Sequence, residues 1–220
     1  LAAAGPVSCA NGQFSALVNL SNGDGTKSIT ATQTDQAGNV GSDSRDVLRD
    51  TTAPVVRIVQ PLANAVTRST LTLTGTCETG LNVVVGGDIA NPGNANCTNG
   101  QFSRNITLQS PDGVKNVTVA QTDAAGNEGR DQRAFQLDAT APAVRITSPS
   151  NGTKIEINFT VNGTCEPNLA LTISGDLQAQ STTMCPTSGL FSVALQARAG
   201  NGAKQIVASQ IDAAGNEGSD

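Results

Sequence analysis

The chain is 220 residues long, with 13 basic against 18 acidic residues, a net charge of −5 and no histidine. That balance excludes a nucleic-acid partner, whose phosphates demand a basic face, and favours small cations; without histidine the commonest general base near neutral pH is missing. Aromatic residues are 2% of the chain, with no Trp or Tyr, and hydrophobic residues are 37%, so any cores are small, built from Val, Ile, Leu and Phe, and marginal without staples.

Taken from the N-terminus, the apolar stretch at residues 1–4 is too short for a signal h-region. No apolar run approaches the roughly 20 residues that span a bilayer, so whatever exports or anchors the protein is expected outside this chain. Next come Ser8-Cys9-Ala10-Asn11-Gly12-Gln13-Phe14-Ser15, then Gln33-Thr34-Asp35-Gln36-Ala37-Gly38-Asn39, then Asp50-Thr51-Thr52-Ala53-Pro54. Each returns. The first reappears 88 residues on as Asn96-Cys97-Thr98-Asn99-Gly100-Gln101-Phe102-Ser103 and again around Cys185 and Phe191-Ser192. The second returns at 121–127 and, one residue longer in spacing, at 210–216, and the third returns as Asp138-Ala139-Thr140-Ala141-Pro142. Such self-similarity defines a tandem array. In this frame residues 1–50 match the second half of a unit, 51–138 form a complete unit, and 139–220 stop before the segment equivalent to 132–138. The expectation is a piece of a longer array.

Within the complete unit, alternating apolar residues predict short strands over 71–74, 81–85, 102–108 and 117–119. Turn signals punctuate them at Gly86-Gly87-Asp88, Asn91-Pro92-Gly93-Asn94, Asn99-Gly100, Pro111-Asp112-Gly113 and Ala125-Gly126-Asn127. No helical period is sustained. About seven short strands in a unit of this size predict an all-β, immunoglobulin-like Greek-key sandwich.

The Asp-Thr-Thr-Ala-Pro linker, the segment Gly75-Thr76-Cys77-Glu78 with its copy Gly163-Thr164-Cys165-Glu166, and the Thr-Asp-x-Ala-Gly-Asn turns resemble the bacterial Ig-like repeats of large surface adhesins and secreted fibres. The resemblance covers essentially the whole chain. It implies a secreted or cell-surface protein whose repeats hold a binding tip away from the cell. It also implies junction aspartates that bind calcium, with Asp35, Asn39 and Asp50 as candidate ligands at the first junction and Asp123, Asn127 and Asp138 at the second. The competing reading makes each Asp-x-x-Gly-Asn a hairpin loop in which Asp accepts backbone hydrogen bonds and Gly-Asn takes positive φ. Calcium needs six to eight oxygens, and the dense Asp-x-Asp-x-Asp-Gly spacing of a dedicated calcium loop is absent.

Many such repeats lack cysteine, whereas this chain has five. The repeat frame pairs Cys77 with Cys97 and Cys165 with Cys185, and leaves Cys9 as the second member of a pair whose first would precede residue 1. Two thiols per unit and no histidine argue against structural zinc, and Cys-x-x-Cys is absent. One disulfide per repeat implies folding in an oxidising space outside the cytoplasm.

Other motifs carry less. Four Asn-x-Thr matches, at Asn96, Asn105, Asn116 and Asn158, are expected by chance in a chain rich in both residues. Lys27, Lys115 and Lys204 recur before one strand and read as solvated edge lysines rather than isopeptide partners. Glu78 with Glu166 and Asp88 with Asp176 recur beside turns; an active site duplicated in every unit is improbable, and no nucleophile elbow or phosphate loop is present. The chain therefore reads as non-enzymatic. A structural stalk is the leading function, with neighbouring repeats of the same chain as partners and any host ligand bound elsewhere. Its rivals are ligand- or carbohydrate-binding modules, accessory modules of a secreted enzyme, and a filament subunit in which other copies cover the exposed strand edges of residues 1–50.

Overall fold

The computed structural model describes residues 5–220; residues 1–4, with the short apolar stretch that opens the first segment, lie outside the described residues. All regular structure in it is β. The first segment contributes a hairpin of β1 (Gly25–Thr34) and β2 (Val40–Arg49), paired in unbroken antiparallel register. The second contributes β3 (Arg57–Gln60), β4 (Val66–Thr67), β5 (Thr70–Thr76), β6 (Asn82–Gly87), β7 (Gly93–Asn96), β8 (Gln101–Thr107), β9 (Gly113–Thr122) and β10 (Glu128–Leu137). The third contributes β11 (Arg145–Ser148), β12 (Asn158–Thr164), β13 (Ala170–Gly175), β14 (Ser181–Met184), β15 (Leu190–Gln196), β16 (Ile206–Ile211) and β17 (Glu217–Ser219).

In the second segment a three-stranded sheet, β3-β5-β8, and a five-stranded sheet, β4-β10-β9-β6-β7, form a sandwich. Alternation decides which side chains meet between them. Leu73 of β5, Val83 and Val85 of β6, Phe102 and Ile106 of β8, Val117 and Val119 of β9, and Phe135 and Leu137 of β10 close one core. The third segment repeats the plan with β11-β12-β15 against β14-β13-β16-β17, around Val161, Leu171, Ile173, Phe191 and Leu195. The chain is thus all-β, built of immunoglobulin-like sandwiches.

Each disulfide joins the two sheets. Cys77 follows β5 in one sheet and Cys97 follows β7 in the other; Cys165 and Cys185 follow β12 and β14 in the same way, with Cα atoms 6.0 Å apart in both pairs. Cys9 is free and exposed. Two glycines explain the Gly-Thr-Cys-Glu motif: a Cβ on Gly75 would run into the Arg57 carbonyl and the Phe102 ring, and one on Gly163 into the Arg145 carbonyl and the Phe191 ring. Only glycine lets these strands approach. The Asn99-Gly100 turn also takes its expected form, with φ of 52° and 76° and reciprocal hydrogen bonds between Thr98 and Gln101, as in a type I′ hairpin.

The structure corrects the reading of one lysine. Lys115 is only 9% exposed, and β9 lies between β10 and β6 rather than at an edge. A long aliphatic stem is readily buried beneath a charged head. Residues 91–94, expected as a turn, run into β7, and Gly86-Gly87 ends β6 rather than standing outside it.

In the first segment Phe14 is 58% exposed, whereas its counterparts Phe102 and Phe191 are 3% and 5% exposed. The only strands described there are β1 and β2, so no second sheet covers them. The third segment carries a groove of about 1440 Å³ walled by Ile146, Ile155, Ile157, Val161 and Ile206. Ile146, Val161 and Ile206 correspond to Ile58, Leu73 and Val117, which in the second segment share a core with Phe135 and Leu137.

Candidate functional site

The polar residues that recur from repeat to repeat gather at two places, the corner beside the disulfide and the junction between repeats. At the corner, Gln121 of β9 is fully buried; its Oε1 accepts from the Glu78 N–H (2.9 Å), and its Nε2 donates to the carbonyls of Glu78 (3.1 Å) and Leu81 (3.3 Å). Gln210 does the same with Glu166 (2.7 and 3.0 Å) and Leu169 (3.3 Å). Sequence reasoning missed this role. The available signal was phase, because Val117, Val119 and Gln121 alternate on one face, putting a glutamine where an apolar residue belongs.

The three Asp-x-x-Gly-Asn turns share one geometry. Asp35 Oδ1 accepts from the N–H groups of Ala37 (2.9 Å) and Asn39 (2.8 Å), and its Oδ2 accepts from the Asn39 side-chain amide (2.8 Å). Asp123 holds Ala125 and Asn127 in the same way, and Asp212 holds Asn216. These bonds favour the charged form. The Asn39 amide, chiefly, holds the Asp35 carboxyl below its usual 3.8, and the Asn127 amide does so for Asp123. At Asp212 burial pushes upward most strongly, yet the Asn216 amide and the turn N–H groups together outweigh it.

The junction itself is assembled from both neighbours. On the preceding side, Asp24 Oδ1 accepts from the Thr51 N–H (3.0 Å) and hydroxyl (2.7 Å), and its Oδ2 from the Thr52 hydroxyl (2.8 Å). The two hydroxyls, chiefly, lower the Asp24 carboxyl, and Arg49 at 3.6 Å adds to this. On the following side, the Asn127 amide donates to the Asp50 carbonyl (3.2 Å). The second junction repeats the plan: Asp112 accepts from the Ala139 N–H (3.0 Å) and the Thr140 hydroxyl (2.7 Å), and the Asn216 amide donates to the Asp138 carbonyl (2.9 Å).

This placement regroups the candidate calcium ligands. Asp35 and Asn39 share a turn, but Asp50 lies beyond the ten residues of β2, roughly 35 Å of extended strand from Asn39. It meets Asn127 of the next repeat instead. Likewise Asp123 and Asn127 share a turn while Asp138 lies at the far end of β10 and meets Asn216. Neither set of three comes together. No three carboxylate or thiolate residues converge as a metal cluster among the described residues, and the carboxylates of Asp24, Asp112 and Asp123 face N–H and O–H donors. A calcium ion needs six to eight oxygens, and the three oxygen-bearing residues expected at each junction are here divided between two places. The other recurring carboxylates also hold main chain: Asp88 accepts from the Asn116 N–H (2.8 Å), Asp176 from Gln205 (2.9 Å), Asp131 from Ile58 (2.7 Å) and Asp220 from Ile146 (2.7 Å).

No family model and no curated relative matches the chain. Among solved structures it is similar to a Ca2+-stabilized adhesin that helps an Antarctic bacterium reach out and bind ice, at 19% identity and a TM-score of 0.42 over 89% of this chain and 55% of that one. It is also similar to a tetra-tandem repeat in the extending region of a large adhesion protein, at 21% identity and a TM-score of 0.34 over 90% of this chain and 55% of that one. A third is a fibronectin(III)-like module structure of Clostridium thermocellum CbhA, at 13% identity and a TM-score of 0.41 over 76% of this chain and 90% of that one. The chain spans about half the length of the first two. Likenesses of this strength say nothing of what this chain binds.

Proposed function

We propose that this chain is a non-enzymatic spacer segment of a bacterial surface adhesin, made of immunoglobulin-like domains at residues 51–138 and 139–220 and the second half of another at 1–50. One observation carries the reading: the polar residues that define the repeat are spent on holding main chain. Gln121 and Gln210 close corners, Asp88 and Asp176 fix strand ends, and Asp123 and Asp212 close turns. Repetition of scaffolding residues serves length, whereas repetition of a reactive group would serve chemistry. The confinement of the two cores to residues 56–137 and 144–208 supports the domain partition. Both disulfides support an extracellular location, because such bonds persist in oxidising compartments.

The test is antibody labelling of intact cells of the source organism, together with a glycan and extracellular-matrix binding screen of the 220-residue chain. Surface labelling with a blank screen is expected. Labelling only after permeabilisation contradicts the surface role, and saturable binding in the screen makes the repeats ligand binders instead.

A further inference from the structure

We propose that each junction is a two-sided hydrogen-bond clamp that fixes one repeat on the next without a metal ion. The inference concerns the junction alone and stands apart from the surface role proposed above.

The linker is gripped along its length. At the first junction the preceding repeat holds Thr51 and Thr52 through Asp24, while the following repeat holds the Asp50 carbonyl through Asn127. The following repeat also takes the Pro54 carbonyl so closely against Gly129 that a Cβ there would collide with it, and it holds the Ile58 N–H through Asp131. At the second junction Asp112 holds Ala139 and Thr140 from one side. Asn216 holds the carbonyls of Asp138 (2.9 Å) and Thr140 (3.5 Å) from the other, Gly218 abuts the Pro142 carbonyl, and Asp220 holds the Ile146 N–H. Thr140 is therefore held by both neighbours at once. Arg68 of the second repeat reaches toward the third repeat's turn: a Cβ placed on Gly215 would stand 3.7 Å from its guanidinium.

A hinge needs a few residues free to change φ and ψ, and here proline fixes φ at residues 54 and 142 while the flanking groups are bonded. The chemistry also runs against a cation. Asp24 and Asp112 point at N–H and O–H donors, and Asn127 and Asn216 offer N–H groups to carbonyls; a metal would have to displace these donors before any oxygen could turn to it. Asn127 does two jobs, closing its own turn on Asp123 and gripping Asp50, so the loop and the clamp form together.

The experiment is ¹⁵N relaxation on the labelled 220-residue chain in EDTA, comparing the rotational correlation times of residues 51–138 and 139–220. Equal values are expected, unchanged on adding calcium chloride. Asp112→Ala, which removes a side chain whose hydrogen bonds go to the linker, is expected to let the two repeats reorient separately while amide shifts within both cores stay put; Asp112→Asn, which keeps an acceptor oxygen, is expected to restore most of the coupling. Independent tumbling of the unaltered chain in EDTA overturns the clamp. So does coupling that appears only with calcium, or coupling that survives Asp112→Ala combined with Asn216→Ala.

Discussion

The side chain of Gln121 binds both main-chain groups of Glu78, accepting from its N–H and donating to its carbonyl, inside a corner from which solvent is excluded. Gln121→Ala removes three hydrogen bonds; the Glu78 carbonyl keeps the one from the Leu81 N–H (3.4 Å), while the Glu78 N–H and the Leu81 carbonyl lose their partner. Since a buried polar group left unpaired costs about 1–3 kcal/mol, the loss is expected to total about 3 kcal/mol, read from the urea midpoint by far-UV circular dichroism. Gln33→Ala, at an exposed counterpart, is expected to stay within about 0.5 kcal/mol of the parent.

The disulfides supply a second prediction. Each closes a loop across a sequence separation of 20, which in the chain-entropy model stabilises a domain by about 3 kcal/mol. Cys97→Ser is expected to destabilise the second repeat by that amount, read from its denaturation midpoint, and leave the third unchanged. Cys9→Ser is expected to change neither.

Glycine 75 supplies a third. A methyl group there meets the Arg57 carbonyl and the Phe102 ring, and backbone cannot rotate away as a flexible side chain would. Overpacking of this kind costs about 1–3 kcal/mol, so Gly75→Ala is expected at the upper end of that range. Gly126→Ala, with open space around it but a φ of 89°, is expected to cost about 1 kcal/mol through strain alone.

Much of this architecture was legible in the repeat frame and the alternation of apolar residues, which located β5, β6, β8 and β9 and paired the cysteines. Strand β10 was not, because Glu128 through Arg133 is polar and only Phe135 and Leu137 reach the core fully. Strand β7 hid behind Asn91-Pro92-Gly93-Asn94, whose turn residues lead directly into a ladder. The junction was legible by residue type and not by partner. Asp138 follows Asn127 in sequence, but a ten-residue strand separates them and delivers Asp138 to Asn216. Alternation gives faces; only strand length and the next repeat's position give ends.

Acid sensitivity follows from the turns. Asp24, Asp35, Asp123 and Asp212 are all held below their usual 3.8 in the folded chain. A carboxyl whose folded value is depressed contributes stability that is fully present above 3.8 and is lost as pH falls through the folded value. The melting temperature is therefore expected to be insensitive to these groups at neutral pH and to fall below pH 3.8. Asn127→Ala, which removes the chief cause at Asp123, is expected to move that acid limb to higher pH.

The most direct measurement is a thermal melt of the disulfide-intact chain in EDTA and then in millimolar calcium chloride. A ligand bound only to the native state must stabilise it, by about 2.7 kcal/mol at one hundred times its Kd. Junctions closed by Asp24, Asp112, Asn127 and Asn216 predict superimposable melts in the two buffers. A calcium-dependent rise in melting temperature, abolished by Asp112→Ala, would contradict them and make the junction a metal site.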